Sequence, residues 1–182
     1  LIIAGGARLR GTTRTLWQER FGKTIMEGYG MTETAPVVAV NSITHGRHGT
    51  VGRLLPGMRM RLEPVNGLEK GDLLLVSGPN IASRYLAEET PIMQDGWFDT
   101  GDIVTIDREG YVNIVGRMER LARVDGVTVP VARSEEGAEA VWPEAVHGAI
   151  AQRQADGTDK IVLFTTEPDS GRSALSRRWK RL

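Results

Sequence analysis

The sequence predicts a chain of mixed α/β and α+β class: the end of a parallel α/β sheet, a small antiparallel β subdomain, and a partial α+β C-terminal domain. Three observations predict this order. A strand–helix–strand pattern in residues 1–26 is typical of a parallel sheet. Between residues 49 and 116, short apolar runs alternate with Gly and Pro, which indicates antiparallel strands joined by turns. Beyond residue 116, short strand patterns flank one helical pattern.

The parallel unit opens with the apolar run Leu1–Ala4, which predicts a short strand. A helix is expected to start with Thr12 or Thr13 as its N-cap and to end at Gly22. Lys23–Met26 then forms the second strand and runs into a glycine turn. The apolar residues expected to lie roughly on one side of the helix are Leu9, Leu16 and Phe21.

The antiparallel subdomain is predicted from apolar runs bounded by turn residues. Met58–Leu62 and Leu73–Val76 are expected strands, and Ile81–Glu89 is expected to add a short helix. The clearest element is a hairpin, in which Ile103–Ile106 and Tyr111–Val115 flank a four-residue turn that ends in glycine. Short strands separated by such turns favour a small antiparallel sheet or barrel.

The last part of the chain is expected to contain a hairpin, a helix, two further strands and a basic helix, in the order Leu121–Val131, Glu135–Trp142, Ile150, Ile161–Thr165 and a start near Ser173. The helix is predicted to bury Ala138, Val141 and Trp142. We place a domain boundary near residues 116–119. This divides the chain into a large domain at 1–116, with an α/β portion at 1–48 and a β portion at 49–116, and a truncated small domain at 117–182.

Composition narrows the classes of function. The chain has 182 residues, with 23 Lys and Arg against 23 Asp and Glu. A net charge of zero argues against a nucleic-acid partner, which would require a basic surface. The absence of Cys excludes a disulfide framework, a thiolate metal site and a Cys nucleophile, and it fits a reducing compartment without requiring one. No apolar run approaches the roughly 18 residues that cross a bilayer.

The strongest local signal is the segment Glu27–Thr34, directly after the second strand. Its glycines let the backbone approach a flat ligand, on which the ring of Tyr29 can stack. The Thr32 hydroxyl can donate to a phosphate oxygen, and the Glu33 carboxylate is a hard oxygen ligand suited to Mg²⁺. From these residues alone, a glycine turn that simply ends a strand is the commoner interpretation.

Two further segments carry polar residues of the same kind. Residues 95–102 predict a tight loop anchored by Trp97 and Phe98, beside which Asp102 could accept hydrogen bonds from two ribose hydroxyls. The alternative is a turn whose carboxylates cap backbone N–H groups. Arg117, after the hairpin, could clamp nucleotide oxygens with its fork of donors or could be an ordinary surface charge.

Taken in this order, the segments resemble the adenylate-forming superfamily of acyl-CoA synthetases, luciferases and peptide-synthetase adenylation domains. The similarity covers essentially the whole chain. The segments that carry it are the strand and Gly-Gly-Ala turn Leu1–Ala7, the Tyr-Gly-x-Thr-Glu motif Tyr29–Glu33, the ribose-binding motif Trp97–Asp102, and Gly116-Arg117 at the domain junction.

The resemblance implies that the chain binds ATP or AMP together with Mg²⁺. Thr32 is expected to contact the α-phosphate and Glu33 to hold Mg²⁺, which makes both catalytic residues. Tyr29 is expected to stack on adenine and Asp102 to bind the ribose. The full set of expected cofactor-binding residues is Gly5, Gly6, Ala7, Tyr29, Asp102 and Arg117.

In the small domain, the same resemblance implies two further roles. Glu119 stands where the family places the hinge about which the small domain rotates between half-reactions. Gly126 matches the glycine beside the tunnel through which the pantetheine thiol enters. The expected thiol acceptor is a phosphopantetheine group, on acyl-carrier protein or coenzyme A.

Within the superfamily, some stretches are similar to the acyl-[acyl-carrier-protein] synthetase half of a bacterial bifunctional 2-acylglycerophosphoethanolamine acyltransferase: 27–41, 49–58, 78–81 and 161–166. This implies activation of a fatty acid as its adenylate and transfer to acyl-carrier protein, in phospholipid reacylation. The apolar residues 35–41 are expected to line the acyl site. The alternatives are an acyl-CoA ligase for another acid, and a non-catalytic module that binds a nucleotide or a carrier protein.

Two parts of the family's machinery match nothing in these residues, namely the loop that cradles the β- and γ-phosphates and the adenylation lysine. We therefore expect the 182 residues alone to form no acyl-adenylate. The patterns at Leu1–Ala4 and at residues 177–182 both read as interior to an element, which predicts an internal piece of a longer protein. That protein is expected at the cytoplasmic face of the inner membrane, attached through segments outside this piece.

Overall fold

The computed structural model describes residues 1–86 and 88–168. Its contacts divide the chain into two compact units. Unit 1 comprises Leu1–Pro64 and Asp72–Ile114, and unit 2 comprises Val65–Gly71 and the residues from Val115 onward. The predicted domain boundary near residues 116–119, and the domain ranges built on it, stay predictions.

The described residues form twelve strands and two α-helices, which confirms the mixed α/β class. In chain order these are β1 (Ile2–Ala4), α1 (Gly11–Phe21), β2 (Ile25–Tyr29), β3 (Ala39–Val40), β4 (Arg53–Leu54), β5 (Arg59–Pro64), β6 (Asp72–Ser77), β7 (Phe98–Ile106), β8 (Val112–Arg117), β9 (Leu121–Val124), β10 (Val127–Pro130), α2 (Ala132–Val141), β11 (His147–Arg153) and β12 (Asp159–Thr165). Within this part of the chain, no helix combines the length and the apolarity needed to cross a bilayer.

The β1–α1–β2 unit is parallel, as predicted. Ile2 pairs with Ile25 and Ala4 with Glu27, in a sheet whose strand order is β1-β2-β3-β4. Because β1 and β2 run in the same direction, their carboxyl ends lie at the same edge of this sheet. Gly22 ends α1 in the left-handed conformation with φ of 59°, which confirms the predicted stop.

Two expectations about α1 are wrong. The helix begins at Gly11 with extended Arg10 as its N-cap, so no Thr hydroxyl caps it. None of its residues is buried, and Leu16 and Phe21 are each 53% exposed. Leu9 precedes the helix, and positions 16 and 21 are five residues apart, so the three residues do not share one helical face.

The second sheet of four strands has the order β5-β6-β7-β8 and carries the core of unit 1. Buried residues from its strands and from neighbouring loops pack into one cluster: Val38, Met58, Leu74, Val76, Ile81, Phe98, Val104 and Val112. The predicted strands and the hairpin around residues 107–110 are confirmed. Residues 98–102, expected as a loop, instead form the first half of β7, where the register against β6 shifts.

The helix predicted over residues 81–89 is wrong for the residues described there, which form turns and one isolated bridge between Arg84 and Pro91. One backbone bond lies within the segment, from the Glu88 N–H to Tyr85 O at 3.3 Å, but it does not continue as a helix. The Ala82 N–H donates to Glu33 O at 2.8 Å, and the Ile92 N–H donates to Ser83 O at 3.0 Å. This pairing holds the segment against the loop that follows β2.

Unit 2 confirms most of the expected elements. β9 and β10 pair as a hairpin whose turn residues Asp125 and Gly126 have φ of 50° and 82°. α2 begins three residues before the predicted start, and Ala138, Val141 and Trp142 are buried as expected. β11 and β12 form a second hairpin. The basic helix predicted near Ser173 lies outside the described residues.

The close packing around Gly30, in the turn after β2, can be tested by substitution. A Cβ on Gly30 would lie 1.7 Å from Pro36 O, whereas a Cβ on Gly28 would meet nothing nearer than 3.5 Å. We expect Gly30→Ala to lower the free energy of unfolding by about 3 kcal/mol or more, because the clash is with backbone. Gly28→Ala is the matched control and should change it by less than about 1 kcal/mol. Equal urea midpoints for the two variants would contradict this packing.

Candidate functional site

The loop between β2 and β3 is closed on itself. After extended Met31, residues Thr32–Thr34 form a single turn of 3₁₀ helix, and Ala35 adopts a left-handed conformation with φ of 47°. The hydroxyl of buried Thr34 lies 2.9 Å from the carbonyl oxygens of both Met31 and Pro36, to which it donates. These bonds turn Thr34 inward and leave the Thr32 side chain exposed and that of Glu33 partly exposed.

The structure brings two of the predicted residues into direct contact. The Tyr29 hydroxyl donates to Asp102 Oδ2 at 2.6 Å, across 73 residues of chain. Tyr29 is the last residue of β2, and Asp102 lies in β7, where it is only 2% exposed. The bond therefore ties the end of the parallel sheet to the bulged half of the antiparallel sheet.

The backbone around Asp102 has its own supports. The Thr100 hydroxyl, which is buried, donates to Leu74 O at 2.7 Å, and it accepts the N–H of Asp102 at 3.1 Å. Gly101 has φ of 68°, a conformation that side chains disfavour, and its N–H is bonded to Asp99 Oδ1 at 2.8 Å. Together these contacts hold Asp102 in one position beside Tyr29.

Glu33 is held by a residue that the sequence analysis did not select. The Tyr85 hydroxyl donates to Glu33 Oε1 at 2.7 Å, and this bond holds the pKa of the Glu33 carboxyl below its ordinary value. The same bond raises the pKa of Tyr85. The Asn80 amide donates to Thr34 O at 2.5 Å and to Val37 O at 2.9 Å, which secures the loop from the same side.

The predicted adenine-pocket residues Gly5, Gly6 and Ala7 follow β1. A Cβ on Gly5 would lie 3.4 Å from Gly28 O, so this turn passes close to β2. Because β1 and β2 end at the same edge of the sheet, this turn and Tyr29 emerge there together. The structure thus places three predicted segments of unit 1 next to one another: the turn after β1, Tyr29 with Asp102, and the loop that carries Thr32 and Glu33.

The predicted residues of unit 2 lie in its first elements. Arg117 ends β8, and its guanidinium is 4.0 Å from the Glu119 carboxylate. Glu119 lies in the 3₁₀ helix Met118–Arg120, with its side chain 74% exposed. Gly126 occupies the β9–β10 turn, and its positive φ is explained by that turn. The roles of these three residues in nucleotide binding, domain rotation and thiol entry stay predictions.

The residues present fit a nucleotide-bound Mg²⁺ better than a metal held by protein alone. Within residues 1–86 and 88–168, no three His, Cys, Asp or Glu side chains come together as a ligand group. Mg²⁺ is usually bound by one or two carboxylates together with substrate phosphates. Glu33 is such a carboxylate, and the hydrogen bond from Tyr85 lowers its pKa further below neutral pH.

A cavity of about 560 Å³ lies elsewhere in unit 1, beside α1. It is lined by Arg14, Thr15, Gln18, Glu19, Thr24 and His48, none of which belongs to a predicted motif. The half-buried guanidinium of Arg14 pairs with the carboxylate of Glu27. The candidate site is accordingly defined by the hydrogen-bonded residues above and not by this cavity.

Known proteins share sequence and fold with this chain. Residues 1–86 match the family model described as AMP-binding enzyme, and they contain the turn after β1, Tyr29, Thr32 and Glu33. Residues 1–86 belong to the adenylate-forming superfamily, and similarity to its members extends over 92% of the chain. This agrees with the family resemblance of the motifs, whereas no comparison separates acyl-carrier-protein synthetases from the other members.

Individual members of the superfamily are similar over most of the chain. A long-chain-fatty-acid–CoA ligase of Mycobacterium bovis is 32% identical over 174 residues, which cover 92% of this chain and 27% of that protein. A feruloyl-CoA synthase of an Amycolatopsis species is 33% identical over 144 residues, covering 74% and 29%. ATP-bound MatB from Rhodopseudomonas palustris has a TM-score of 0.83 at 29% identity, over 100% of this chain and 38% of that one.

The chain spans only part of these proteins. Across the curated relatives, the matched region covers between 24% and 32% of the relative's length. O-succinylbenzoate coenzyme A synthetase from Bacillus subtilis, solved with ATP and magnesium ion, shares the fold at a TM-score of 0.81 and 22% identity, over 100% of this chain and 40% of that one. The chain therefore shares its fold with part of these proteins. The activity of the whole protein does not follow from this likeness.

The contact between Tyr29 and Asp102 can be tested by its effect on stability. We expect Tyr29→Phe to lower the free energy of unfolding by about 1–2 kcal/mol, because it removes a donor from a buried carboxylate. In a double-mutant cycle with Asp102→Asn, urea unfolding should give a coupling energy of at least about 0.5 kcal/mol. Losses that simply add would mean that the two side chains do not interact in solution.

Proposed function

We propose that these residues form the nucleotide-binding part of an AMP-forming ligase that activates a carboxylic acid as its acyl-adenylate. The observation that carries the proposal is the hydrogen bond between Tyr29 and Asp102, beside the turn after β1 and the Thr32–Glu33 loop. An aromatic ring, a buried carboxylate and an exposed hydroxyl are the groups that adenine, ribose and phosphate respectively require. The AMP-binding family match covers most of them.

The nucleoside would be bound by the groups on strands. Because the Tyr29 hydroxyl is bonded to Asp102, its ring is held in one orientation, which suits stacking on adenine. The turn Gly5–Ala7 would supply backbone groups along the base. Asp102, fixed beside Tyr29, would accept hydrogen bonds from the ribose hydroxyls.

The phosphates would be bound by the groups on the loop. The exposed Thr32 hydroxyl can donate to an oxygen of the α-phosphate, where negative charge increases as the acid attacks. Glu33 would hold Mg²⁺, which offsets charge on the phosphate oxygens when it is bound. The acid's carboxylate oxygen attacks the α-phosphorus, the bond to pyrophosphate breaks, and a thiol later displaces AMP from the acyl group.

Three residues of unit 2 would have further roles. Arg117 would contact the nucleotide, Glu119 would act as the hinge for domain rotation, and Gly126 would lie beside the path by which the thiol enters.

We infer that the acid is a fatty acid and the acceptor a phosphopantetheine thiol. Sequence similarity to long-chain-fatty-acid–CoA ligases supports an alkyl substrate and coenzyme A, while similarity to a feruloyl-CoA synthase supports an aromatic acid as the second candidate. The motif similarities described above favour acyl-carrier protein as the acceptor, in a phospholipid-reacylating protein that also carries an acyltransferase. Such a protein would work in the cytoplasm, at the bacterial inner membrane.

The activation step is tested by ATP–pyrophosphate exchange in the protein expressed from the full reading frame around these residues. Exchange should require a fatty acid. Glu33→Gln should lower it at least about 100-fold at limiting Mg²⁺, because a charged group at the phosphates is lost. Glu63→Gln removes an exposed carboxylate on β5 and should leave exchange unchanged. Exchange that needs no acid, or that is insensitive to Glu33, would contradict the proposal.

The acceptor is tested separately by thioester formation. With saturating fatty acid and ATP, the intact protein should acylate the phosphopantetheine thiol of acyl-carrier protein at least about tenfold faster than coenzyme A. Such a ratio corresponds to about 1.4 kcal/mol of discrimination. The measurement follows labelled acyl groups on the two acceptors in competition. Equal or greater transfer to coenzyme A would assign the protein to the acyl-CoA ligases instead.

A further inference from the structure

The segment Asn80–Tyr85 is bonded to the Glu33 loop at several points, although no predicted site residue lies in it. Its backbone joins the loop through the Ala82 N–H, which donates to Glu33 O at 2.8 Å. Its side chains join it at the two ends, through Asn80 to Thr34 O and Val37 O, and through Tyr85 to the Glu33 carboxylate. Glu33 is therefore held by one segment at both its backbone and its side chain.

The two ends of this segment differ in burial. Asn80 bonds to backbone carbonyls only, which is typical of a contact that maintains the shape of a loop. Tyr85 is 46% exposed, and its hydroxyl bonds to a carboxylate that is itself only partly buried. Loss of that hydroxyl should cost the fold little, because few packing contacts depend on it.

We propose that Tyr85 is a positioning residue that orients the Glu33 carboxylate toward the magnesium ion of the bound nucleotide. This inference rests on the proposed function, in which Glu33 is the carboxylate that holds Mg²⁺. Tyr85 touches neither the nucleotide nor the reacting atoms in this assignment. It acts only through Glu33.

The physical argument is one of preorganisation. A partly exposed Glu side chain has several rotamers, and the loss of that freedom on metal binding opposes the binding. The Tyr85 hydroxyl bonds to Oε1 before any metal arrives, so the carboxylate is already held in one orientation. Partners that orient a ligating side chain in this way typically change metal affinity by about 10- to 100-fold when they are removed.

The inference is tested by nucleotide binding instead of turnover. The probe is α,β-methylene-ATP, which cannot release pyrophosphate, titrated calorimetrically into the intact protein with Mg²⁺ and again with a chelator. The ratio of the two dissociation constants measures how much Mg²⁺ strengthens nucleotide binding. We expect Tyr85→Phe to lower this ratio about tenfold, the lower end of the range because the pair is exposed, and to leave the affinity in chelator unchanged.

Two further variants make the result specific. Tyr111→Phe is the matched control, because the Tyr111 hydroxyl also donates within unit 1, to His45 O at 2.5 Å, but in a different loop. It should leave the ratio unchanged. Glu33→Gln tests the proposed function itself and should reduce the ratio at least as far as Tyr85→Phe does.

The outcomes separate the two ideas. An unchanged ratio in Tyr85→Phe, with a reduced ratio in Glu33→Gln, overturns the inference and leaves the proposed function in place. An unchanged ratio in Glu33→Gln removes Glu33 from the metal site and with it the basis of both. Equal weakening by Tyr85→Phe with and without Mg²⁺, or an equal effect of Tyr111→Phe, would also overturn the positioning role.

Discussion

The close passage of the Pro36 carbonyl over Gly30 is the constraint on which the candidate site depends. A Cβ on Gly30 would lie 1.7 Å from that oxygen, so the chain can turn back after β2 only where a side chain is absent. The turn lets the Val38 N–H donate to Tyr29 O at 2.7 Å, so that β3 starts directly beside β2. Because the turn is this tight, some side chains between Gly30 and Pro36 point into the loop and the others point toward the surface. Thr34 points inward, and Thr32 and Glu33 are left at the surface beside Tyr29.

Much of the fold could be predicted because the ends of its elements are marked by residues in the local sequence. Turn residues mark both the β7–β8 and β9–β10 hairpins, and a glycine marks the end of α1. The errors have a different origin. The segment at residues 81–89 has helical character, but its Ala82 N–H bonds to Glu33 O, 49 residues earlier, so tertiary contacts override the local preference. The expected apolar side of α1 is absent because residues on one helical face need helical spacing, which positions 16 and 21 do not have.

Some residues of the candidate site can also be recognised from the local sequence, whereas others are defined only by contacts with distant parts of the chain. Tyr29, Glu33 and Asp102 could be selected because their residue types and flanking glycines indicate ligand chemistry, and the first and last of these are in direct contact. Tyr85 and Asn80 could not be selected in that way. Their importance comes only from bonds to residues 43 to 52 positions away, which no periodicity or spacing encodes. A tyrosine in a polar turn is an unremarkable feature until the carboxylate opposite it is known.

The groups proposed to bind adenosine and those proposed to bind the phosphates differ in how rigidly the fold holds them. Tyr29 and Asp102 lie on strands, and Tyr29 packs against the buried core of unit 1, so the groups proposed for adenosine are as rigid as the sheets. Thr32, Glu33 and Tyr85 lie on loops joined mainly by hydrogen bonds. Adenosine is the same chemical group before and after adenylation, so rigid recognition of it loses nothing as the reaction proceeds. The phosphates change in number and charge when pyrophosphate leaves, and groups on bonded loops can adjust to that change without disturbing the core. The bond from Tyr85 to Glu33 therefore orients the carboxylate without packing the loop into the core. The loop can still adjust when pyrophosphate leaves.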